Sequence, residues 1–265
     1  MIRIRINVNI IVYILETPEY VLVIMIHPAD FFQHFPAKQN TPTRAATVRR
    51  LLSESAGQLV EVNYGQLMES RAPHHGEAAV NFMVKCGNPT PRSPIFEAHY
   101  DVANTRSENC LDNTASVCHL LALAYNTNFN GYLAFCDGEE LVDFENSGAR
   151  YLGETLFDDN GMFGTHERLV FALELTAYGD AIWCDHRGHA KTYNIPFKRC
   201  PFSDAEVLRR WGIQAACLCM LPQAEMGDQY PKTWRHCHQS SDKFTLANRD
   251  DMTRMQEWLL AASAR

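Results

Sequence analysis

Three segments of the sequence bring a possible metal ligand or base to the end of an apolar run. PIFEA is followed by His99, YLAFCD leads to Glu139 and Glu140, and LVFALE ends at Glu174. If these runs are strands of one α/β sheet, their carboxyl ends lie at the edge where such sheets bind ligands. Imidazole and carboxylate groups together suit zinc, and a metal-activated water can attack a carbonyl. The residues therefore predict a metal-dependent hydrolytic site.

The HYD motif holds His99 and Asp101 two residues apart. In an extended segment, positions i and i+2 share a face, so Asp101 can lie near His99. A carboxylate that accepts the far N–H of a ligating imidazole fixes its tautomer and raises its basicity. By itself the motif is more typical of a polar loop pair.

The adjacent acids Glu139 and Glu140 would point in opposite directions in an extended chain. One carboxylate can then bind a metal ion while the other faces the substrate water. Metal hydrolases need this division, because ligands hold the ion while a separate carboxylate takes the proton of the water. The alternative interpretation is a solvated acidic turn. Asp137, which precedes the pair, has no assigned role.

Asp112 and Glu174 can each be explained with or without a metal ion. Asp112 and Asn113 directly precede an apolar helical segment, where either residue would be an ordinary N-cap. Glu174 lies between apolar residues, and a buried carboxylate is costly unless it is paired. It either faces water at the end of its strand or is paired with a cation.

HCHQSSD, near the end of the chain, supplies His236, His238 and Asp242. Spacing alone does not decide which histidine is a ligand, and Asp242 could support His238 or anchor the loop. With His99, this segment completes a set of two imidazoles and several carboxylates. A single shared carboxylate can bridge two ions about 3.5–4 Å apart.

The elements that would position these residues alternate along the second half of the chain. PIFEAH, YLAFCD, LVFALEL and QAACLCML are predicted strands, with helices predicted from DNTASVCHLLALAYN, ENSGARYLGETL and FSDAEVLRRWG. Upstream, LVEVNYGQLM predicts a strand followed by a turn at Gly65. This order predicts a single-domain α/β fold with a central, mostly parallel or mixed sheet flanked by helices on both faces.

The N-terminal region differs from the rest of the chain. Residues 2–10 alternate between apolar and polar types, which is typical of a half-buried strand. We therefore expect a strand-like extension over 1–45, followed by the catalytic domain over 46–265. An alternating strand edge can pair with another chain, so this segment could support a homo-oligomer.

Composition limits the partners and the compartment. The 265 residues include 24 Lys and Arg against 31 Asp and Glu, so the net charge of −7 gives no basic surface for nucleic acid. Glu16, Pro18 and Glu19 interrupt the N-terminal apolar runs, so no membrane association is expected. Nine irregularly spaced cysteines without a CxxC pair indicate reduced thiols, mostly in the core, and a cytoplasmic protein. The Arg3/Arg5 start leaves an exported form open.

In this order, the motifs resemble those of the co-catalytic zinc aminopeptidases, metallopeptidase family twenty-eight of the zinc exopeptidase clan. The resemblance covers residues 80–260 and is carried by PIFEAHYD, LDNTASVCHLLALA, LAFCDGEE, SGARYL, LVFALEL and HQSSDKF. It implies an aminopeptidase that hydrolyses the N-terminal bond of a peptide or aminoacyl substrate with two zinc ions.

The resemblance also implies a role for each candidate residue. His99 and Glu174 would bind one zinc, Glu140 and His238 the other, and Asp112 both. Asp101 would orient His99, and Glu139 would be the general base that deprotonates the attacking water.

Three alternatives compete with this interpretation. FCDGEE is similar to the corresponding motif of glutaminyl cyclases, which share the fold and would use a single zinc on Asp112, Glu140 and His238. A related deacylase family carries a lid domain, which does not fit into the 63 residues between 174 and 238. The third alternative is a binding protein that has kept the fold and lost the chemistry, but every candidate position here holds a competent residue.

Overall fold

The computed structural model describes residues 3–6, 10–13, 26–66, 78–90, 92–140, 147–157, 168–200 and 203–264. Its strands are β1 Arg3–Ile6, β2 Ile10–Tyr13, β3 Gln58–Gln66, β4 Ala78–Cys86, β5 Ile95–His99, β6 Gly131–Cys136, β7 Val170–Glu174, β8 Ala181–Cys184 and β9 Ala215–Leu221. Its α-helices are α1 Thr41–Ser53, α2 Ala115–Ala124, α3 Gly148–Phe157, α4 Arg187–Tyr193, α5 Asp204–Arg210 and α6 Arg249–Ser263. No helix in the described ranges is long and apolar enough to cross a membrane.

Seven strands form one mixed sheet in the order β3-β4-β6-β5-β7-β9-β8. The four central strands, β6, β5, β7 and β9, are parallel, and β4 and β8 pair antiparallel with the outermost of them. The predicted single-domain α/β fold with a mixed sheet is confirmed. Because the central strands are parallel, His99, the segment after Cys136 and Glu174 all lie at the same edge.

Alternating side chains of the central strands enter two separate cores. Phe96, Phe171 and Leu218 point to the face covered by α1, α2 and α6. Ala172 and Cys217 point to the other face, which α3 and α5 cover. His99 and Glu174 share the second face, since each lies an even number of positions from its apolar members along the strand.

The boundary predicted at residue 45 does not separate an N-terminal extension from the rest of the domain. That boundary falls inside α1, and Phe31 and Phe35 before it are fully buried in the first core. Residues 26–45 therefore pack as part of the domain. Further upstream, β1 and β2 pair antiparallel with each other. The remaining residues before Ile26 lie outside the described part, and the oligomer prediction stays a prediction.

Two local expectations from the sequence need correction. The turn predicted at Gly65 is wrong, because β3 continues through it to Gln66. The sequence reading also missed β8 and α4, which are only four and seven residues long. Such short elements lack enough turns or alternations to give a periodic signal.

His119 is buried on α2, between the sheet and α6. Its Nε2 lies 3.2 Å from the Thr176 carbonyl, which can only accept, so Nε2 carries the proton of the neutral ring. Nδ1 lies 2.8 Å from the Gln256 amide oxygen Oε1, and exchanging the near-equivalent O and N of that amide lets its NH₂ group donate to Nδ1 of the neutral ring. Burial lowers the pKa of His119 from 6.5 to about 4, despite these hydrogen bonds.

This histidine should make the fold sensitive to acid. Because the folded chain holds His119 neutral while the unfolded chain protonates it below 6.5, unfolding takes up a proton and stability falls as pH drops towards 4. We expect His119→Gln to remove about 2 kcal/mol of the change in unfolding free energy between about pH 7 and 5. Urea unfolding of both proteins at the two pH values measures this. Equal changes in the two proteins would show that His119 is not the acid-sensitive group.

Candidate metal centre

His99 is the last residue of β5, and its imidazole is 1% exposed. Its Nε2 lies 3.3 Å from Asp112 Oδ1, 3.6 Å from Glu174 Oε2 and 3.9 Å from Glu139 Oε2. None of these contacts is a hydrogen bond of good geometry, so the buried nitrogen has three carboxylates around it and no hydrogen-bond partner among the described residues. A cation between them would satisfy all four groups.

Asp101 lies behind His99 and connects two parts of the site. One of its oxygens is 3.2 Å from His99 Nδ1, and since a carboxylate only accepts, Nδ1 carries the ring proton. Nε2 is thereby left as the free donor atom for a metal. The Asp101 carboxylate also accepts the backbone N–H groups of Glu139 and Glu140, at 3.3 and 3.0 Å. The same side chain therefore orients the histidine and holds the acidic turn.

Asp112 lies in a short helical turn, Cys110–Thr114, that precedes α2. Asp112 and Asn113 have non-helical backbone angles, and the peptide bond between them is cis. The N-cap interpretation is wrong, because α2 begins at Ala115 with Thr114 in the cap position. The Asn113 amide instead donates to the Leu173 carbonyl at 2.7 Å, which ties this turn to β7.

The two oxygens of Asp112 face different histidines. Oδ1 lies 3.3 Å from His99 Nε2, and Oδ2 lies 3.2 Å from His238 Nε2. Burial alone would raise the pKa of Asp112, but the adjacent imidazoles of His238 and His99 hold it below its usual range. An ionised carboxylate with one oxygen on each side is the arrangement that a bridging ligand requires.

Asp242 anchors the backbone of this turn. Its carboxylate accepts the N–H groups of Leu111 and Asp112 at 2.8 and 3.1 Å, and its carbonyl accepts from the Ser107 hydroxyl. Of the two roles that the sequence left open for Asp242, the structure supports the loop anchor. Asp242 therefore holds the backbone of Asp112 in place. It lies four residues after His238, whose Nε2 faces Asp112.

The turn after β6 separates the two adjacent acids. Gly138 has a φ of +76°, a left-handed conformation that other residues rarely adopt. Beyond it, Glu140 Oε2 lies 2.9 Å from His238 Nε2, whereas Glu139 Oε2 lies 3.9 Å from His99 Nε2. The two carboxylates therefore face different histidines. Asp137 is buried behind the turn, where burial and then the charge of Asp101 raise its pKa to about 8.

His238, and not His236, joins the cluster. His238 has a left-handed backbone with φ of +61°, and its carbonyl accepts from the Asn104 amide at 3.2 Å. His236 turns away, and its Nδ1 lies 3.0 Å from the Ser241 hydroxyl. The structure thus settles which histidine lies near the acids, although spacing could not.

The seven residues predicted for the site lie in one cluster and form two overlapping groups. The first group is His99, Asp112 and Glu174, and the second is Asp112, Glu140 and His238. Glu139 and Asp101 lie beside them. The oxygens of Glu140 are buried, and His99 Nε2 has no hydrogen-bond partner. These nitrogen and oxygen donors fit zinc. The individual roles stay predictions.

Mutual repulsion and burial also favour a cation here. Burial, with the charge of neighbouring acids, raises the pKa of Glu140 to about 7 and that of Glu174 to about 8. Burial also raises the pKa of Glu139, although the charge of His99 opposes this. Without a metal ion, protons must neutralise part of the cluster. A bound divalent cation would replace them.

A cavity of about 260 Å³ opens onto this cluster. Its lining includes Leu175, Tyr230 and Trp234 beside the acids, together with Cys200 and Cys237. An apolar wall next to a few convergent polar groups is typical of a site for a small ligand. The cavity can therefore take a short apolar group next to the candidate metal ligands.

Asp101→Asn should test the positioning role of Asp101. Because an amide nitrogen cannot accept, the variant loses part of the support for His99 and for the turn at Glu139. We expect zinc affinity to fall by about 10- to 100-fold, as for other residues that support a ligating histidine. Competition with a chromogenic chelator measures the affinity. Unchanged zinc affinity in a folded variant would contradict this role.

The similarity to known proteins is confined to solved structures, since no family model and no curated protein matches the chain. The LapA aminopeptidase of Legionella pneumophila is 16% identical with a TM-score of 0.62, over 89% of this chain and 70% of that one. Glutaminyl cyclase of Porphyromonas gingivalis is 13% identical with a TM-score of 0.66, over 89% of this chain and 96% of that one. A Zn-dependent exopeptidase of Parabacteroides distasonis is 13% identical with a TM-score of 0.64, over 90% of this chain and 96% of that one.

At these identities the comparison establishes the fold. The chain has the fold of the Zn-dependent exopeptidases, which aminopeptidases and bacterial glutaminyl cyclases share. Its site carries a cluster of histidine and carboxylate groups at the edge of the sheet where the fold predicts a ligand.

Proposed function

We propose that this chain is a zinc-dependent aminopeptidase that hydrolyses the N-terminal bond of a peptide or a related amide. The observation that carries the proposal is the position of Asp112, whose two oxygens face His99 and His238 separately. Glu174 lies on one side and Glu140 on the other, so each side would have three protein ligands. Three protein ligands with an open position are typical of catalytic zinc sites.

Each side of the cluster has a defined part in this proposal. His99, Asp112 and Glu174 would hold one zinc ion, and Asp112, Glu140 and His238 the other. Bound zinc supplies positive charge that polarises the scissile carbonyl and stabilises the oxyanion. Asp101 keeps His99 Nε2 free for this purpose, because it accepts the proton on Nδ1.

Glu139 is the group that moves the proton. It lies beside the cluster, and its closest histidine nitrogen is 3.9 Å away, farther than for the three proposed carboxylate ligands. Its carboxylate would take a proton from the attacking water and pass it to the leaving nitrogen. The apolar wall of Leu175, Tyr230 and Trp234 would hold the substrate side chain and exclude bulk water.

Glutaminyl cyclisation is the second candidate, because bacterial glutaminyl cyclases share the fold and are close to this chain in length. The alignment covers 96% of the Porphyromonas gingivalis cyclase, as it does of the Parabacteroides distasonis exopeptidase, and 70% of LapA. A cyclase would hold one zinc ion on Asp112, Glu140 and His238. In that case Glu139 would move a proton from the attacking amine of the substrate itself, and no water would be consumed.

One assay separates the two reactions. The chelator-stripped protein, with and without added zinc, is given fluorogenic aminoacyl amides and a peptide with an N-terminal glutamine. An aminopeptidase releases the fluorophore, whereas a cyclase leaves the peptide bond intact and releases ammonia. We expect zinc-dependent release of the fluorophore. Ammonia release without peptide cleavage would favour the cyclase, and neither activity after zinc is restored would overturn both.

A further inference from the structure

A second group of possible metal ligands lies on the same face of the sheet and consists only of sulfur. The Sγ atoms of Cys200, Cys217 and Cys219, here called the cysteine cluster, all lie within 4.8 Å of one another. Cys217 and Cys219 are two residues apart on β9, so their side chains share a face, and their sulfurs are 3.2 Å apart. Cys200 comes from the segment before α5 and completes the triangle.

None of the three cysteines forms a disulfide. A disulfide bond is about 2.05 Å long, well short of the 3.2 Å between the Cys217 and Cys219 sulfurs. Each thiol lies within hydrogen-bonding reach of the other two. Burial, and then these neighbours, raise the pKa of Cys217.

The distances suit a tetrahedral ion. A Zn–S bond of about 2.3 Å with tetrahedral angles places two sulfurs about 3.8 Å apart. The Cys217–Cys219 sulfur separation of 3.2 Å lies below that value, and the two separations to Cys200 are at most 4.8 Å, so all three are compatible with it. Small side-chain rotations would therefore bring all three sulfurs to one ion.

The surroundings leave one coordination position open. Cys217 and Cys219 are fully buried, opposite Ala172 and Trp183 on the neighbouring strands. Cys200 is half-buried and lines the cavity of the candidate metal centre. A fourth ligand, such as water, can reach the cluster from that cavity side.

We propose that the cysteine cluster is a three-thiolate site for one soft divalent cation of the zinc and cadmium class. Three sulfur donors select soft ions over magnesium or calcium. A divalent ion neutralises two of the three thiolate charges, which a monovalent ion cannot do in this buried position. The site is separate from the histidine and carboxylate cluster and does not depend on the proposed peptidase activity.

The position of the cysteine cluster gives it a consequence for the neighbouring centre. Cys219 is the register partner of Glu174, and Cys200 shares the cavity with Glu139 and Glu140. With three thiolates, a divalent ion leaves a net charge of −1 beside the candidate catalytic site, where protonated thiols would be neutral. Zinc bound in the cysteine cluster would also raise the measured zinc content by one ion per chain. A catalytic centre with one zinc ion would then appear to hold two.

Cadmium titration of the chelator-stripped, reduced protein tests the site directly. Cadmium bound to thiolate gives an ultraviolet charge-transfer band, whereas cadmium bound to carboxylate or imidazole does not. We expect the band of the parent protein to saturate at one ion per chain. Cys200→Ala should weaken cadmium binding at this band by at least about 100-fold, beyond the usual cost of changing a residue behind a ligand. The protein is kept as the full chain, and thermal unfolding confirms that the variant is folded.

Cys237→Ala is the matched control. Cys237 has the same intermediate exposure as Cys200 and lines the same cavity, but it lies outside the cluster. We expect its band to match that of the parent. A second variant, Cys217→Ala, should lose the band as Cys200→Ala does. No saturable band in the parent, or equal bands in Cys200→Ala and Cys237→Ala, would overturn the proposal.

Discussion

Replacing Glu139 with Gln should reduce hydrolysis of aminoacyl amides by about 100- to 10,000-fold, the usual contribution of a general acid–base group. The zinc content should not change. Gln has the shape of Glu but cannot take a proton at neutral pH, so the substitution removes the proposed base alone. The measurement is kcat for a fluorogenic amide, together with metal content by elemental analysis.

The structure explains why Glu139→Gln should remove the proposed base without disturbing the rest of the site. The backbone N–H of Glu139 donates to Asp101, and that bond does not involve the side chain. The Glu139 carboxylate is the most distant of the three near His99 Nε2, at 3.9 Å. However, His99, Glu139 and Glu174 also form a compact group that could hold an ion by themselves. Metal content therefore distinguishes a base from a ligand.

Glu140→Gln is the control for this prediction. It changes the neighbouring residue in the same turn by the same chemistry, but Glu140 lies 2.9 Å from His238 Nε2. We expect this variant to bind zinc more weakly. If Glu139→Gln kept the parental rate, Glu139 would not be the base, and if it lost zinc while Glu140→Gln did not, the two roles would be exchanged.

The strand ends of the site could be predicted because the end of each strand can be recognised in its own local sequence. His99 and Glu174 each close a short apolar run, and parallel strands place such ends at one edge of a sheet. The pairing of Asp101 with His99 followed from the two-residue period of an extended chain. These inferences need only local pattern and the general geometry of a parallel sheet.

Other parts of the site depend on contacts between distant segments, which no local pattern encodes. Asp112 looked like a helix cap, but Asp242, 130 residues away, holds its backbone in a non-helical conformation. The cysteine cluster was also hidden. Cys217 and Cys219 were recognisable as a same-face pair, whereas Cys200 reaches them only through the folded path of the chain.

Replacing Asp112 with Ala should remove zinc from both sides of the candidate centre at once. Among the described residues, Asp112 is the one whose carboxylate lies within 4 Å of both histidines, so its loss leaves His99 with Glu174 and His238 with Glu140. Two ligands on each side fall short of the three that catalytic zinc sites use. We expect a loss of zinc affinity on both sides that exceeds the ~10- to 100-fold cost of losing a supporting residue. Activity should fall with it.

Two single-sided variants make this prediction specific. Glu174→Ala and His238→Ala each remove a ligand from one side only, so each should lose one ion where Asp112→Ala loses two. All three variants are best made in Cys200→Ala protein, so that an ion in the cysteine cluster is not counted with those of the centre. Zinc content and kcat are measured for the same samples.

The pattern of losses decides between the two candidate reactions. If Glu174→Ala keeps all of its zinc and His238→Ala loses all of it, the centre holds one ion on Asp112, Glu140 and His238, as the glutaminyl-cyclase alternative requires. If each loses one ion of two, Asp112 is a bridging ligand and the aminopeptidase proposal is supported. The reason is physical: a carboxylate with one oxygen 3.3 Å from His99 Nε2 and the other 3.2 Å from His238 Nε2 can be shared only if there is an ion on each side of it.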